Sequence, residues 1–238
     1  MVIEFKSEKD FQRLLDALAG EICSAKDHLG LYRDLRAAEE EFGREYIQSW
    51  TFWWLTFRAH LEAALFRLIR IYDAHLASLS LRNLLDTIKA RLDVFDVESF
   101  RERLKGNPFV DSLASDARKP DAAQLDADIE FAGNDERIEK LTKWRHNLLA
   151  HRSAKNIVKG VEIAADYPLT VEEIEELVTR AFAILNRYTY LFRATSQCAR
   201  IVGHDDYTFV LTSIRARLDQ GAREIEEQIE KCRPAKSE

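Results

Sequence analysis

The seven residues RHNLLAH, from Arg145 to His151, hold the pair of side chains in this chain with the clearest chemical potential. The segment has the apolar spacing of a helix, and it separates an arginine from a histidine by six positions. A histidine transfers protons near neutral pH, whereas an arginine is a permanently charged, planar donor that holds anionic groups. Together the two side chains are suited to a reaction at a phosphate ester.

Cleavage of RNA without a metal ion is one reaction that such a pair supports. The histidine would exchange a proton with the ribose 2′-OH or the leaving 5′-oxygen, and the arginine would hold the phosphate. The product would end in a 2′,3′-cyclic phosphate, and DNA would not react because it lacks the 2′-OH. Six α-helical steps, however, turn a side chain by about 120° from its starting face. A kink, or a second copy of the chain, would bring Arg145 and His151 together.

Arg145 is also unusual for its position on the helix. It lies near the middle of an apolar stripe formed by Ile138, Leu141, Trp144, Leu148 and Leu149. A guanidinium on a buried face needs a carboxylate, a subunit boundary or a bound anion, and Glu62 and Asp73 are the candidate carboxylates. A structural ion pair is therefore the alternative to a catalytic role. His151 lies at the edge of the same stripe, where a core or capping histidine is the alternative.

The charge distribution bears on whether the chain binds nucleic acid. The net charge is −6, which disfavours a protein that binds nucleic acid over its whole surface. Residues 137–159, by contrast, contain seven basic side chains and one acidic side chain, a local balance of +6. Lys143, Arg152 and Lys155 are predicted to contact RNA beside the motif. Such binding would be local and sensitive to salt.

Composition predicts an all-α protein. The 238 residues are 46% apolar, which is enough for a substantial core, and they include only eight Gly and four Pro. A small strand or hairpin is considered near residues 157–165, and residues 119–133 read as a short helix or a connection. Apolar periodicity and capping residues predict helices at 8–41 (interrupted at Gly20 and Gly30), 47–71, 80–91, 96–105, from a cap at Asn134 through the motif, 170–200 and 206–231.

The second predicted helix has the strongest pattern. Its apolar residues alternate steps of three and four, which predicts a heptad-like seam in an antiparallel bundle. Its aromatic beginning, WTFWWLTF, is typical of a core or a subunit interface more than of a platform for stacking bases. The seam consists of Ile47, Trp50, Trp54, Phe57, Leu61, Ala64, Leu68 and Ile71.

Several classes of protein are disfavoured. No apolar run approaches the roughly 20 residues that span a bilayer, and the N-terminus does not resemble a secretion signal, so a cytoplasmic protein is expected. The three cysteines lie far apart, which predicts reduced thiols without a zinc site. No metal and no cofactor are predicted. The other singled-out histidines, His60, His75 and His204, match no motif.

Three blocks of the sequence resemble the abortive-infection branch of the HEPN superfamily, the AbiU-type HEPN proteins. They are FRLIRIYDAHLASLSLRNLLDTI, WRHNLLAHRSAKN and YPLTVEEIEELV, and the resemblance covers roughly residues 47–200. It implies an antiparallel helical bundle and a metal-independent endoribonuclease with a toxin or phage-defence role. Arg145 matches the motif Arg and His151 the motif His. His146 matches the polar position after the Arg, a role that Asn147 could share.

The resemblance also implies the organisation of the protein. We expect a single HEPN-like domain over residues 1–238, with a core at about 44–200 and the helices at 8–41 and 206–231 packed on it. The expected partners are an RNA substrate, a second copy sharing the catalytic cleft, and an antitoxin, with no membrane. Two alternatives stay open: a non-catalytic module whose Arg145 and His151 stabilise a dimer or bind a nucleotide or phosphate, and a structural protein whose second helix forms an intersubunit seam.

Overall fold

The computed structural model describes residues 1–145, 154–160, 162–198 and 202–232, and within these ranges the regular elements are helices. The predicted all-α fold is confirmed, and no strand occurs in the described ranges. The α-helices are α1 (Glu8–Ala37), α2 (Glu39–Gln48), α3 (Trp50–Ile71), α4 (Leu81–Ala90), α5 (Val97–Arg103), α6 (Val110–Ala114), α7 (Ala122–Asn134), α8 (Glu136–Trp144), α9 (Ala154–Val158), α10 (Ile163–Asp166), α11 (Val171–Arg193) and α12 (Tyr207–Cys232), with a 3₁₀ turn at Leu92–Phe95.

The main core forms where α1 packs along α3 and α11. Ile22 of α1, Leu68 of α3 and Leu177 of α11 are completely buried there. The predicted interruptions of the first helix at Gly20 and Gly30 are wrong, because α1 continues through both residues. A single glycine costs a helix only about 1 kcal/mol, and the burial of the flanking apolar side chains outweighs that cost.

The predicted seam of the second helix is correct only in its C-terminal part. Ser49 leaves the helical conformation (φ −138°, ψ 44°) and separates α2 from α3, so the residues before it do not continue the register of α3. Trp53, and not Trp54, enters the core, where its ring packs edge-on against Tyr46 at 4.9 Å. Phe57, Ala64, Leu68 and Ile71 are buried as predicted, whereas Ile47, Trp50 and Trp54 are exposed.

Local capping signals set several helix starts. Ser80 caps α4, and Thr170 forms the predicted capping box with Glu173 at the start of α11. Residues 119–133, read as a short helix or a connection, contain most of α7. Because α7 extends through Asn134, that residue does not cap α8 as predicted. Asp135 does so, since its carboxylate accepts from the Arg137 backbone N–H at 2.9 Å.

Two predicted features near the C-terminal half are corrected. The hairpin considered near 157–165 is wrong for the described residues, because α9 and α10 occupy this region and Gly160 turns the chain between them with a φ of 66°. Glycine adopts this left-handed conformation at little cost, which stops α9 without requiring a strand. The helix predicted to reach about residue 200 ends at Arg193, where Ala194 turns left-handed (φ 52°).

No helix in the described ranges has the length and apolar character needed to cross a membrane.

Candidate functional site

Arg145 stands where the regular part of α8 ends. The helix buries Ile138 and Leu141 against the core, and Trp144 is half-buried and donates its ring N–H to the Tyr167 carbonyl at 2.8 Å. Arg145 itself lies in a π-helical turn that follows α8.

Arg145 makes the ion pair that its apolar surroundings predict. Its Nη1 lies 2.5 Å from Oδ1 of Asp73, in the turn that follows α3. The other candidate partner, Glu62, instead accepts from Arg58 on α3 at 2.7 Å. The Asp73 side chain is 14% exposed and that of Arg145 is 33% exposed, so the ion pair is only partly accessible to solvent.

Asp73 is held as a carboxylate by this arrangement. Burial raises the pKa of Asp73, but hydrogen bonds from the His75 backbone N–H, at 3.0 Å, and from Arg145 outweigh the burial and lower it below its ordinary value. The pair is therefore ionic at neutral pH. One guanidinium N–H is engaged by Asp73, and the planar fork of an arginine carries five such donors.

A cleft of about 200 Å³ opens beside the ion pair. The Nδ1 atom of His75 accepts from the Ala77 backbone N–H at 3.2 Å. The Arg145 guanidinium and the His75 ring thus both line the cleft. Its walls are Ile69, Tyr72, Asp73, Ala74, His75, Leu141, Thr142 and Arg145.

From the sequence, Asp73 was one of two candidate partners for Arg145, and His75 was not placed near the motif. Both residues follow α3 by only a few positions, and the sequence alone does not show that this turn lies against the end of α8. The useful signal was the need of Arg145 for a carboxylate, which narrowed the choice to two residues.

The structure describes only some of the remaining predicted site residues. His146, Asn147, His151 and Arg152 lie outside the described residues, and Lys155 belongs to α9 with its side chain outside the described part. Lys143 lies near the end of α8, 5.8 Å from the centre of the Tyr167 ring. It lines a second cavity of about 630 Å³, which shares four lining residues with the Arg145 cleft: Tyr72, Asp73, Ala74 and Thr142. Convergence of Arg145 with His151 thus remains a prediction.

The positive charge around the motif is weaker than the sequence balance indicates. Lys140 pairs with Glu173 at 3.0 Å, and Arg137 pairs with Asp135 and Glu176. Glu173 and Glu176 belong to α11, which lies outside residues 137–159, the range over which the charges were counted. Acidic residues from another helix therefore neutralise part of the basic cluster.

A second group of histidines lies elsewhere. His28 Nδ1 of α1 and His60 Nδ1 of α3 are 2.9 Å apart, and both line a cavity of about 760 Å³ with His204. His60 precedes Asp73 by 13 positions, which corresponds to about 20 Å along a helix, so this cavity is separate from the Arg145 cleft. No group of three potential metal ligands occurs in the described part of the chain.

Comparison with known protein families identifies the family of this chain. The model of the HEPN family AbiU2 matches residues 8–232, well beyond the 47–200 region of the sequence resemblance. No curated protein matches the chain, and no solved structure does.

Proposed function

Because the chain belongs to the AbiU2 family of HEPN proteins, we propose that it is a metal-independent endoribonuclease that acts in abortive infection as a toxin or phage-defence protein. The observation that carries this proposal is the Arg145–Asp73 pair. It holds a permanently charged and partly exposed guanidinium in the lining of a cleft. Such a group suits the phosphate of an RNA backbone.

In the proposed reaction the ribose 2′-oxygen attacks phosphorus and the bond from phosphorus to the 5′-oxygen breaks. His151 transfers a proton with the 2′-OH or the 5′-oxygen, and Arg145 stabilises the charge on the phosphate oxygens. His146 and Asn147 supply the polar position beside the arginine. Lys143, Arg152 and Lys155 hold neighbouring phosphates.

Arg145 and His151 can be brought together in two ways. In one, two protomers share the cleft and each supplies part of it, which is the arrangement that the family resemblance implies. In the other, a kink between the two positions lets a single protomer hold both side chains. The chemistry is the same in both arrangements, and a mixing experiment separates them.

The test is cleavage of RNA by the purified protein in the presence of EDTA. We expect products that end in a 2′,3′-cyclic phosphate, no cleavage of the matching DNA, and at least a hundredfold loss of activity in Arg145→Ala and His151→Ala. Arg13→Ala is the control, because Arg13 is an exposed arginine paired with Asp10 at 2.9 Å on α1. Circular dichroism confirms that each variant is folded.

Cleavage at the wild-type rate by folded Arg145→Ala and His151→Ala would refute the catalytic assignment. Saturable binding of mononucleotides that depends on Arg145, with RNA left intact, would instead support the non-catalytic phosphate-binding module.

A further inference from the structure

Arg82, in the first turn of α4, is a cation near the proposed active site that the proposed reaction does not use. It lines the second cavity of about 630 Å³, which shares four lining residues with the Arg145 cleft. The Arg82 side chain is half-buried, and among the residues that the structure describes it has neither a hydrogen bond nor an ion pair. Its N–H donors are therefore not used by the protein and can serve an anion that enters the cavity.

Gly133 of α7 makes room for the Arg82 guanidinium. The Nη1 atom of Arg82 lies where the Cβ of any other residue at position 133 would be, and the remainder of its side chain crosses the same stretch of backbone. Gly133 is helical and does not have a positive φ, so the backbone conformation itself does not require glycine there. The glycine thus allows a close approach, which places the Arg82 side chain against α7 in the cavity that both residues line.

Four carboxylates also line this cavity, and each of them is engaged by a cation other than Arg82. A carboxylate beside a cation repels an incoming anion less than an isolated carboxylate does, because the two opposite charges largely cancel at a distance. Arg82 therefore keeps its attraction for an anion although acidic groups are near. The pairs are Asp73 with Arg145, Asp135 with Arg137 at 2.7 Å, Asp86 with the Met1 amino group at 2.8 Å, and Glu139 with Lys143 at 4.0 Å.

The position of the cavity relates Arg82 to the proposed substrate. The cavity adjoins the Arg145 cleft at Asp73 and at Thr142, which line both. An RNA strand carries a phosphate at every nucleotide, so a strand with one phosphate in the cleft can present another to the adjoining cavity. The planar donor fork of an arginine matches the oxygens of a phosphate.

From this arrangement we infer that Arg82 binds a second backbone phosphate of the RNA whose scissile phosphate lies at Arg145. The inference rests on the proposed function, because it needs RNA in the Arg145 cleft. It adds a contact made by α4 and α7, outside the motif. A contact to phosphate positions the strand and carries no base preference, so Arg82 is expected to contribute to binding and not to the chemical step.

The test is the binding of a short single-stranded RNA that carries a 2′-O-methyl group on every ribose and so lacks the attacking hydroxyl. Fluorescence anisotropy at several salt concentrations gives its Kd. Arg82→Ala should weaken binding about tenfold at low salt and reduce the slope of log Kd against log salt by about 0.7. Arg82→Lys keeps the charge and should keep the slope, while losing part of the affinity because an ammonium lacks the planar fork. Lys89→Ala on the same helix removes an exposed lysine paired with Asp126 and should leave binding unchanged.

Gly133→Ala tests the placement of Arg82 without removing its charge. The added methyl group takes the position of the Arg82 Nη1 atom and displaces the guanidinium, which should weaken binding several-fold. In the Arg82→Ala background the same change should weaken binding no further, because the group that it displaces is gone. Losses that simply add in the double variant would overturn the role given to Gly133. Circular dichroism verifies that each variant is folded.

Wild-type affinity and an unchanged salt slope in folded Arg82→Ala would overturn the inference, as would a wild-type protein that does not bind the methylated RNA. Cleavage of unmodified RNA separates these results from a failure of the proposed function. A protein that cleaves RNA in an Arg145-dependent way, but binds it independently of Arg82, keeps the function and loses the second phosphate contact. Binding that depends on Arg82 and Arg145 without any cleavage would support the contact and count against the ribonuclease.

Discussion

Arg145 Nη1 and Asp73 Oδ1 lie 2.5 Å apart, although the two residues are 72 positions apart in sequence. This ion pair connects the turn after α3 to the end of α8, where the motif begins. The same arginine therefore has a structural contact and the proposed catalytic contact. Substituting Asp73 tests the structural contribution of Arg145 apart from its catalytic contribution, because Asp73 has no proposed part in the chemistry.

Asp73→Asn keeps the shape of the partner and removes its charge. We expect the free energy of unfolding to fall by about 1 kcal/mol, since the pair is partly exposed, and RNA cleavage to fall about tenfold because Arg145 is held less firmly. Urea unfolding and cleavage rates measure the two effects. Asp93→Asn, which removes the exposed pair with Arg91, is the control and should leave cleavage unchanged. Unchanged cleavage by Asp73→Asn would show that the ion pair does not position Arg145.

The shared cleft can be tested by mixing two inactive variants. If each site takes Arg145 from one protomer and His151 from the other, mixed dimers of Arg145→Ala and His151→Ala contain one complete site. They should then regain up to about a quarter of wild-type activity in an equal mixture, since half the dimers are mixed and each has one of two sites. If both residues act within one protomer, the mixture stays inactive. Dissociation and reassociation of the subunits is verified with a size-tagged variant.

The histidine pair gives a pH-dependent stability. Burial lowers the pKa of His28, aided by the charge of Arg67 and opposed by that of Asp27, and burial together with His28 lowers the pKa of His60. Both side chains bind protons more readily when unfolded, so the stability that they contribute is present above about pH 6.5 and falls as the pH drops. Urea unfolding at pH 7.5 and 5.5 should show this decrease, and the double variant His28→Gln, His60→Gln should show a smaller one. If the free energy of unfolding fell by the same amount in the wild-type protein and the double variant, the assignment of this pH dependence to His28 and His60 would be contradicted.

Asp128 links α7 to α11 inside the core. Its fully buried carboxylate accepts from the Tyr188 hydroxyl at 2.9 Å and from Gln124 Nε2 at 3.0 Å, and it pairs with Arg187. Asp128→Ala leaves the buried hydroxyl without its acceptor and should lower the free energy of unfolding by about 3 kcal/mol.

Asp126→Ala is the matched control for this prediction. Asp126 lies on the same helix, is exposed and pairs with Lys89, so its loss should cost less than about 0.5 kcal/mol. Thermal unfolding of the two variants makes the comparison. Similar melting temperatures would mean that the buried carboxylate adds no more than a surface pair.

The proposed phosphate contacts predict a particular salt dependence. Lys143→Ala, Arg152→Ala and Lys155→Ala should each raise KM for RNA several-fold, leave kcat nearly unchanged, and reduce the slope of log KM against log salt by about one. The control is Lys105→Ala, an exposed lysine after α5 that pairs with Glu102. A lowered kcat with no change in the salt slope would place the residue in the reaction step and not at a neighbouring phosphate.

Much of the local structure was determined by the sequence itself. The scarcity of glycine and proline and the apolar periodicity specify helices, and Ser80 and Thr170 fix helix starts through hydrogen bonds to backbone groups three residues away. These signals can be read from the sequence because they act within a single turn. The prediction of Asn134 as a cap was wrong because α7 continues to that residue. Whether a residue can cap a helix depends on where the preceding helix ends.

The tertiary structure alone decided which distant groups meet. The apolar stripe around Arg145 showed that the arginine needs a carboxylate, but only the packing of α8 against the end of α3 selected Asp73 over Glu62. Likewise, the heptad-like pattern could not show that Trp53 and not Trp54 is buried, since the position of Tyr46 on α2 decides it. A helical pattern limits which residues share a face, whereas the partner that covers that face is set by contacts between segments far apart in the chain.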